Sequence, residues 1–268
     1  MLALRAGVAN FVLQSYYVYR ALFTWIQPPV YVSNAIVRPA MQVVLFYMLG
    51  RFSRNEDTIR FYLVGMIAYA SPLMIVGAIS NSLIGDRSWG TLPYLFVSST
   101  NRVLSYFSRG AVHVFNGLLC SAVALTMVAI LEPSVVARAN WPAAVAGMVL
   151  VSVSVMTYSL LLGGFILVVR DWNTFYTSNQ AILLALTGVA LPLNWIPEQI
   201  RWLGQILPIT HAVQAMRAAF AGATFADCAP QLGLELAVAA GYAIAGVVLF
   251  QVLERHSRKT AGFDIVDV

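Results

Sequence analysis

Few charges interrupt this chain, and their spacing constrains the fold more than any motif does. Uncharged stretches run from Phe61 to Gly85, Gly110 to Leu131, Ala139 to Val169, Trp172 to Pro197 and Leu236 to Leu253. Each is close to the roughly 20 apolar residues with which a helix crosses the hydrocarbon core of a bilayer. A further stretch, about residues 30 to 50, is interrupted only by Arg38. The chain has 60% hydrophobic and 10% charged residues and a mean hydropathy of +0.77. Soluble domains carry ~25% charged residues, so the composition does not fit a water-soluble fold. In hydrocarbon every backbone N–H and C=O must be satisfied within its own segment, which makes helices the expected form of these stretches. The short alternating strands of a closed barrel do not occur.

The expected architecture is an all-α membrane protein of six transmembrane helices, at about 30–50, 60–85, 102–131, 142–169, 179–194 and 231–253. Ahead of them, Val8, Phe11, Val12, Ser15, Tyr19, Leu22, Phe23 and Ile26 recur at helical spacing, with Arg5, Asn10, Gln14, Tyr17 and Thr24 on other faces. That is the pattern of an amphipathic elbow helix lying on the membrane over residues 1–28, stopped by Pro28 and Pro29. The domain plan is then this elbow, a six-helix transmembrane domain over 29–253 and a tail over 254–268. The first apolar stretch carries Arg5 and Arg20 and lacks a small-residue cleavage site, so the chain is expected to stay whole in the membrane.

An even number of spans puts both termini on one side. With that side cytoplasmic, nine Lys/Arg fall inside and six outside, a bias that favours this orientation. Trp25, Trp89, Trp141, Trp172, Trp195 and Trp202 all fall at or beyond expected helix ends, the headgroup level that the indole ring prefers. Ala237, Gly241 and Ala245 recur every four positions in the last span, a pattern for close helix packing within or between subunits. Cys120 lies in a span and Cys228 in an expected outer loop, too far apart in depth for a disulfide. The net charge of +5 comes from basic residues scattered at helix ends, which points to topology and not to nucleic acid.

Asn34, Arg38 and Gln42 share one face of the first span. An arginine at mid-span costs at least ~2.5 kcal/mol on insertion scales. The stripe therefore reads either as a pathway or subunit interface, or as Arg38 snorkelling to the inner headgroups. Arg109, His113 and Asn116 repeat the pattern in the third span; Arg109 reaches the inner surface by snorkelling, which leaves His113 and Asn116 as candidates for interior contacts. Ser152, Ser154, Tyr158 and Ser159 suit hydrogen bonds between helices. The three histidines, His113, His211 and His256, stand at different depths, so neither a metal site nor a catalytic set is expected. The chain has one lysine, Lys259, and no phosphate-cradling loop before it, so any ATP hydrolysis belongs to another subunit.

Two loops carry information. The inner one, Gly85-Asp86-Arg87-Ser88-Trp89-Gly90-Thr91-Leu92-Pro93-Tyr94-Leu95, opens on a charged pair, turns at Gly90 and continues as an apolar stretch too short to span. It reads as a surface helix for another protein to grip, or as a connector anchored by Trp89 and Tyr94. In the outer one, Pro192, Pro197 and Pro208 break helices while Ile206, Leu207, Ile209, Val213, Met216 and Phe220 supply apolar anchors. Short re-entrant helices dipping in from outside are expected, with His211 as a polar cap at the start of one of them.

The inner loop resembles the coupling region of the ABC-2 permease family, in which an acidic–arginine pair precedes Gly-Thr-Leu and a short helix. The matching residues are Asp86, Arg87, Gly90, Thr91, Leu92 and Leu95. The family more often has glutamate at the first position and a second acidic residue further on; this chain has Asp86, Pro93 and Ser99 or Thr100. The outer loop is similar to the family's signature: Gly188 and Pro192 at the end of span five, Pro197, then Pro208-Ile209-Thr210-His211 leading to Arg217. The resemblance implies a cytoplasmic coupling helix between spans two and three and extracytoplasmic re-entrant helices between spans five and six. It also implies a plasma-membrane exporter in which this permease pairs with a second copy or paralogue and with two ABC ATPase subunits. ATP and Mg would sit on those ATPases, with no cofactor in this chain. The cargo would be hydrophobic or amphipathic: a drug, a lipid-like metabolite or a glycan carrier. An intramembrane enzyme would need paired titratable groups at depth. A secondary transporter would show repeats and broken midplane helices, for which only Ser71-Pro72 gives a hint.

Overall fold

The computed structural model describes residues 28–88, 102–166 and 171–260, together with Leu13 and Tyr16. Every regular element among them is helical. In chain order these are α1 (Pro28–Phe52), α2 (Glu56–Ser88), α3 (Arg102–Leu131), the short α4 (Pro133–Ala137), α5 (Trp141–Ile166), α6 (Trp172–Leu186), α7 (Glu198–Ile206), α8 (Thr210–Phe220) and α9 (Phe225–Thr260). Among the described residues, five stretches are long and apolar enough to cross a membrane: Pro28–Phe52, Glu56–Ser82, Gly110–Leu131, Trp141–Phe165 and Phe225–Leu249. Pro28 and Pro29 open α1, where a missing N–H costs nothing because that group has no intrahelical partner. The elbow over 1–28 otherwise lies outside the described residues except for Leu13 and Tyr16, both helical and exposed.

Helices α2 and α5 form the centre, with 83% and 67% of their apolar windows enclosed, against 17%, 33% and 22% for α1, α3 and α9. The outer staves thus keep broad apolar faces for lipid or another subunit. Pro72 does not break α2, which runs unbroken from Glu56 to Ser88. Burial holds the helix together there, and Ser71 Oγ pairs with Ser152 Oγ of α5 at 2.8 Å, a polar rivet between the central helices.

Three boundaries differ from the sequence reading. The segment expected to span at 179–194 is a helix over Trp172–Leu186, of 15 residues. Its start is set by Asp171, whose carboxylate accepts from Thr174 N at 3.2 Å and Thr174 Oγ1 at 2.6 Å. That cap holds Asp171 below the usual carboxylate range. Its end is set by Gly188, in the left-handed region at φ +80°, and by Pro192. The last helix starts at Phe225 instead of 231, because Thr224 and Asp227 cap it reciprocally: Thr224 N donates to Asp227 Oδ2 at 3.0 Å and Asp227 N to Thr224 Oγ1 at 3.3 Å. Cys228 is therefore a buried helical residue and not part of a loop. The stripe of Ala237, Gly241 and Ala245 faces away from this subunit, and a Cβ on Gly241 would meet open space.

One end of the bundle gathers the connections 53–55, 132–140 and 187–224. Asn140 N donates to Ala219 O at 2.9 Å, Asn140 Nδ2 donates to Ala223 O at 2.9 Å, and Arg217 reaches the first turns of α2.

Candidate site: a latched hairpin and a mid-span polar cluster

Between α6 and α9 the chain makes a compact hairpin of a 3₁₀ turn (Leu193–Trp195), α7 and α8. The prolines build it. Pro192 and Pro197, both extended in ψ, precede the 3₁₀ turn and α7, and Pro208 follows α7. Arg201 braces the entry by donating to Ile196 O at 3.1 Å; its 3.9 Å approach to exposed Glu198 adds little. A Cβ on Gly204 would run into the Leu186 carbonyl, so α7 lies directly on the end of α6. Thr210 Oγ1 donates to Gly204 O, joining α8 to α7.

Two charged side chains then latch the hairpin to the bundle. Arg217 of α8 donates from Nη2 to Phe61 O at 3.3 Å and Val189 O at 3.2 Å, and its guanidinium carbon stands 3.6 Å from the Phe61 ring centroid. A cation over an aromatic face contributes ~0.5–2 kcal/mol depending on desolvation. Gly65 admits this arrangement: a Cβ there would come within 2.5 Å of Val189 O and 3.3 Å of Arg217 Nη2. Arg217 and Val189, the residue that follows Gly188, far apart in sequence, thus meet against α2.

The second latch is Glu235 of α9, fully enclosed. Its carboxylate accepts from three backbone N–H groups at the start of α8: Ile209 at 2.8 Å, His211 at 3.1 Å and Ala212 at 3.1 Å. These are donors that a helix N-terminus leaves without partners, and the helix dipole adds to their pull on an anion. Ile209 is held at φ +75°, a strained conformation for a β-branched residue, and its side chain is buried. The cap on α8 therefore comes from Glu235 and not from the His211 side chain. The His211 ring instead bridges Gln231 Oε1 (3.0 Å from Nδ1) and Gln205 O (3.1 Å from Nε2).

A second polar cluster lies halfway along the spans. Arg38 of α1 follows a π-helical turn, Ser33–Val37, and its Nη2 donates to Gln180 Oε1 of α6 at 3.1 Å. The guanidinium thus turns sideways into a hydrogen bond, where snorkelling to the inner headgroups was one expectation. Gln180 Nε2 donates to Tyr176 Oη at 2.8 Å and Leu73 O at 3.3 Å, and Tyr69 Oη donates to Gln180 O at 2.8 Å. Asn34 is exposed and donates to Val30 O; Gln42 is half-buried, and its Oε1 has no partner among the described residues. Asn116 accepts from Tyr31 Oη at 3.0 Å, tying α3 to α1, while His113 is wholly enclosed, with neither ring nitrogen bonded among the described residues. Tyr158 donates to Asn179 Oδ1 at 2.7 Å, tying α5 to α6.

Asp86 and Arg87 fall in the last turn of α2, at the end of the bundle opposite the hairpin. Gly90, Thr91, Leu92 and Leu95 lie outside the described residues.

These elements define the class: a multi-pass helical membrane domain whose connections at one end fold back as a hairpin. A profile of the ABC-2 family transporter protein matches residues 21–248, and the chain belongs to that family. It is a permease domain without ATPase activity, and the family implies partnership with ABC ATPase subunits. No curated protein matches the chain.

Proposed function

We propose that this chain is the permease half of an ATP-driven exporter in the plasma membrane, working with a second copy or paralogue and two ABC ATPases. The observation that carries the reading is the family match over 21–248, together with the Asp86-Arg87…Gly90-Thr91-Leu92 segment at the end of α2. In this reading residues 86–101 form a cytoplasmic coupling helix seated on an ATPase, which binds ATP and its Mg. Closure of the ATPases pushes on the end of α2, and α2 passes the movement to its packed neighbours and to the hairpin that Arg217 fastens to it. An amphipathic drug, lipid-like metabolite or glycan carrier moves outward along the face between the two permeases.

We take α6 as a sixth crossing. It starts near the end of α5 and finishes against α7 in the hairpin, which itself packs beside the start of α5. Its 15 residues reach about 22 Å at 1.5 Å per residue, short of the core thickness, and the hairpin occupies the remaining depth. Six crossings place both termini on one side, and the bias of nine Lys/Arg against six makes that side the cytoplasm in this reading.

The test uses the full-length chain purified with its ATPase. Asp86→Ala and Gly90→Ala are expected to cut cargo-stimulated ATP hydrolysis by about tenfold, equivalent to ~1.4 kcal/mol in the coupled step, while membrane insertion stays intact. Transport driven by an ion gradient with no ATPase present would overturn the reading.

A further inference from the structure

Arg38 is the eleventh of 25 residues in its span, about 15 Å from the helix start at 1.5 Å per residue. Its hydrogen-bonded neighbourhood is equally deep: Tyr69, which holds Gln180, is the midpoint of the Glu56–Ser82 span. The acceptor facing Arg38 is prebuilt, because Gln180 is fixed by Tyr176, Leu73 and Tyr69 before it meets the guanidinium. Of the five donors a guanidinium carries, this contact uses one nitrogen, and the side chain is otherwise exposed on the outward face of α1.

Among the described residues no carboxylate is at hand to neutralise it. Arg38 makes no ion pair among the described residues. The acidic residues Glu56, Asp57, Asp86, Glu132, Asp171, Glu198, Asp227 and Glu254 stand at helix ends or in connections, and Asp264 and Asp267 in the tail. Glu235 alone falls well inside a span, and it is enclosed and committed to the α8 backbone. A second copy of this chain would therefore bring no free carboxylate to Arg38. A cation at this depth is retained where it faces protein, water or a ligand, and a guanidinium fork matches the two oxygens of a phosphate or carboxylate.

We infer that Arg38, aimed by Gln180 and flanked by Asn34 and Gln42, binds the oxyanion headgroup of an amphipathic molecule whose apolar part lies along the exposed face of α1. Gln42, half-buried one turn further along the same face, has no partner for its Oε1 among the described residues. The step from binding to transport rests on the exporter reading; the binding itself does not.

Full-length protein in dodecyl maltoside micelles, without nucleotide or ATPase, is titrated with decyl phosphate and with decyltrimethylammonium, following thermal unfolding and native mass spectra. Decyl phosphate is expected to bind at least about tenfold more tightly than the cation. Arg38→Gln should remove that difference, and Arg38→Lys should keep part of it because a point charge remains without the fork. Gln180→Leu should weaken decyl phosphate severalfold. If Arg38→Gln does not fold, the Lys and Leu variants carry the test. Equal affinity for the two amphiphiles, or variants that bind decyl phosphate as the wild type does, would overturn the inference. An anionic lipid that co-purifies with wild type and is lost in Arg38→Gln identifies a resident lipid headgroup. Binding of decyl phosphate without such a lipid identifies an exchanging molecule. Failure here would leave the exporter reading intact. Success with no ATP-driven transport would remove that reading and leave the site.

Discussion

Glu235→Ala is expected to destabilise the protein by about 3–5 kcal/mol, because three enclosed N–H groups lose a charged acceptor and each unsatisfied donor costs ~1–3 kcal/mol. The substitution strands the N–H groups of Ile209, His211 and Ala212 in an enclosed place. It also releases the strain at Ile209, whose left-handed backbone is held by the first of these bonds. Glu235→Gln keeps one acceptor oxygen and should recover part of the loss, because the amide nitrogen then opposes an N–H group. Thermal unfolding of the full-length protein in detergent micelles checks both variants. Proteolysis between residues 187 and 224 should increase for Glu235→Ala before the rest of the bundle opens. Unfolding of Glu235→Ala within experimental error of wild type would show that the carboxylate is not the fastener of α8.

The second large effect is expected at Gly65. The atom that a Cβ would meet at 2.5 Å is the backbone oxygen of Val189, which cannot rotate aside as a side chain tip can. Gly65→Ala should therefore move the 188–192 turn and break the Arg217 bond to Val189 O, at a cost of ~1–3 kcal/mol, and Gly65→Leu more. Arg217→Met removes the same bond and the contact with Phe61 from the other side. If the two positions form one unit, the double variant loses less than the two single losses added together, since residues sharing a partner are not additive. Strict additivity in the unfolding free energies would separate them.

These two latches show what was legible in the sequence. Long uncharged stretches reveal helices buried in lipid because charge there is costly, and the described helices fall on those stretches. Prolines at 192, 197 and 208 and Gly188 announce the hairpin through backbone chemistry alone. What holds the hairpin down was not legible, because it depends on contacts between distant residues. Glu235 stands just outside a charge-free window, and nothing local says that it reaches back to residue 209. Gln180 looks like an ordinary polar residue in an apolar stretch until α1 and α2 come beside it. Gly65 has no turn signal, since its role is to admit a carbonyl from another segment. The register of α6 differs because its start depends on the hydrogen bonds of Asp171 to Thr174, which the uncharged stretch from Trp172 onward does not reveal. A usable signal for Glu235 did exist. It is the one acid well inside a span, and α8 has no acidic residue in its own first turn.

In the proposed mechanism a push on residues 86–101 by a separate ATPase is felt at the hairpin on the far end of the bundle. Hydrogen exchange of residues 187–222, measured on the full-length permease with its bound ATPase before and after adding ATP, tests this most directly. ATP is expected to change exchange at the start of α8 in the wild type and to leave it unchanged in Gly90→Ala. Exchange in the hairpin that is indifferent to ATP, or that responds equally in the Gly90 variant, would contradict it.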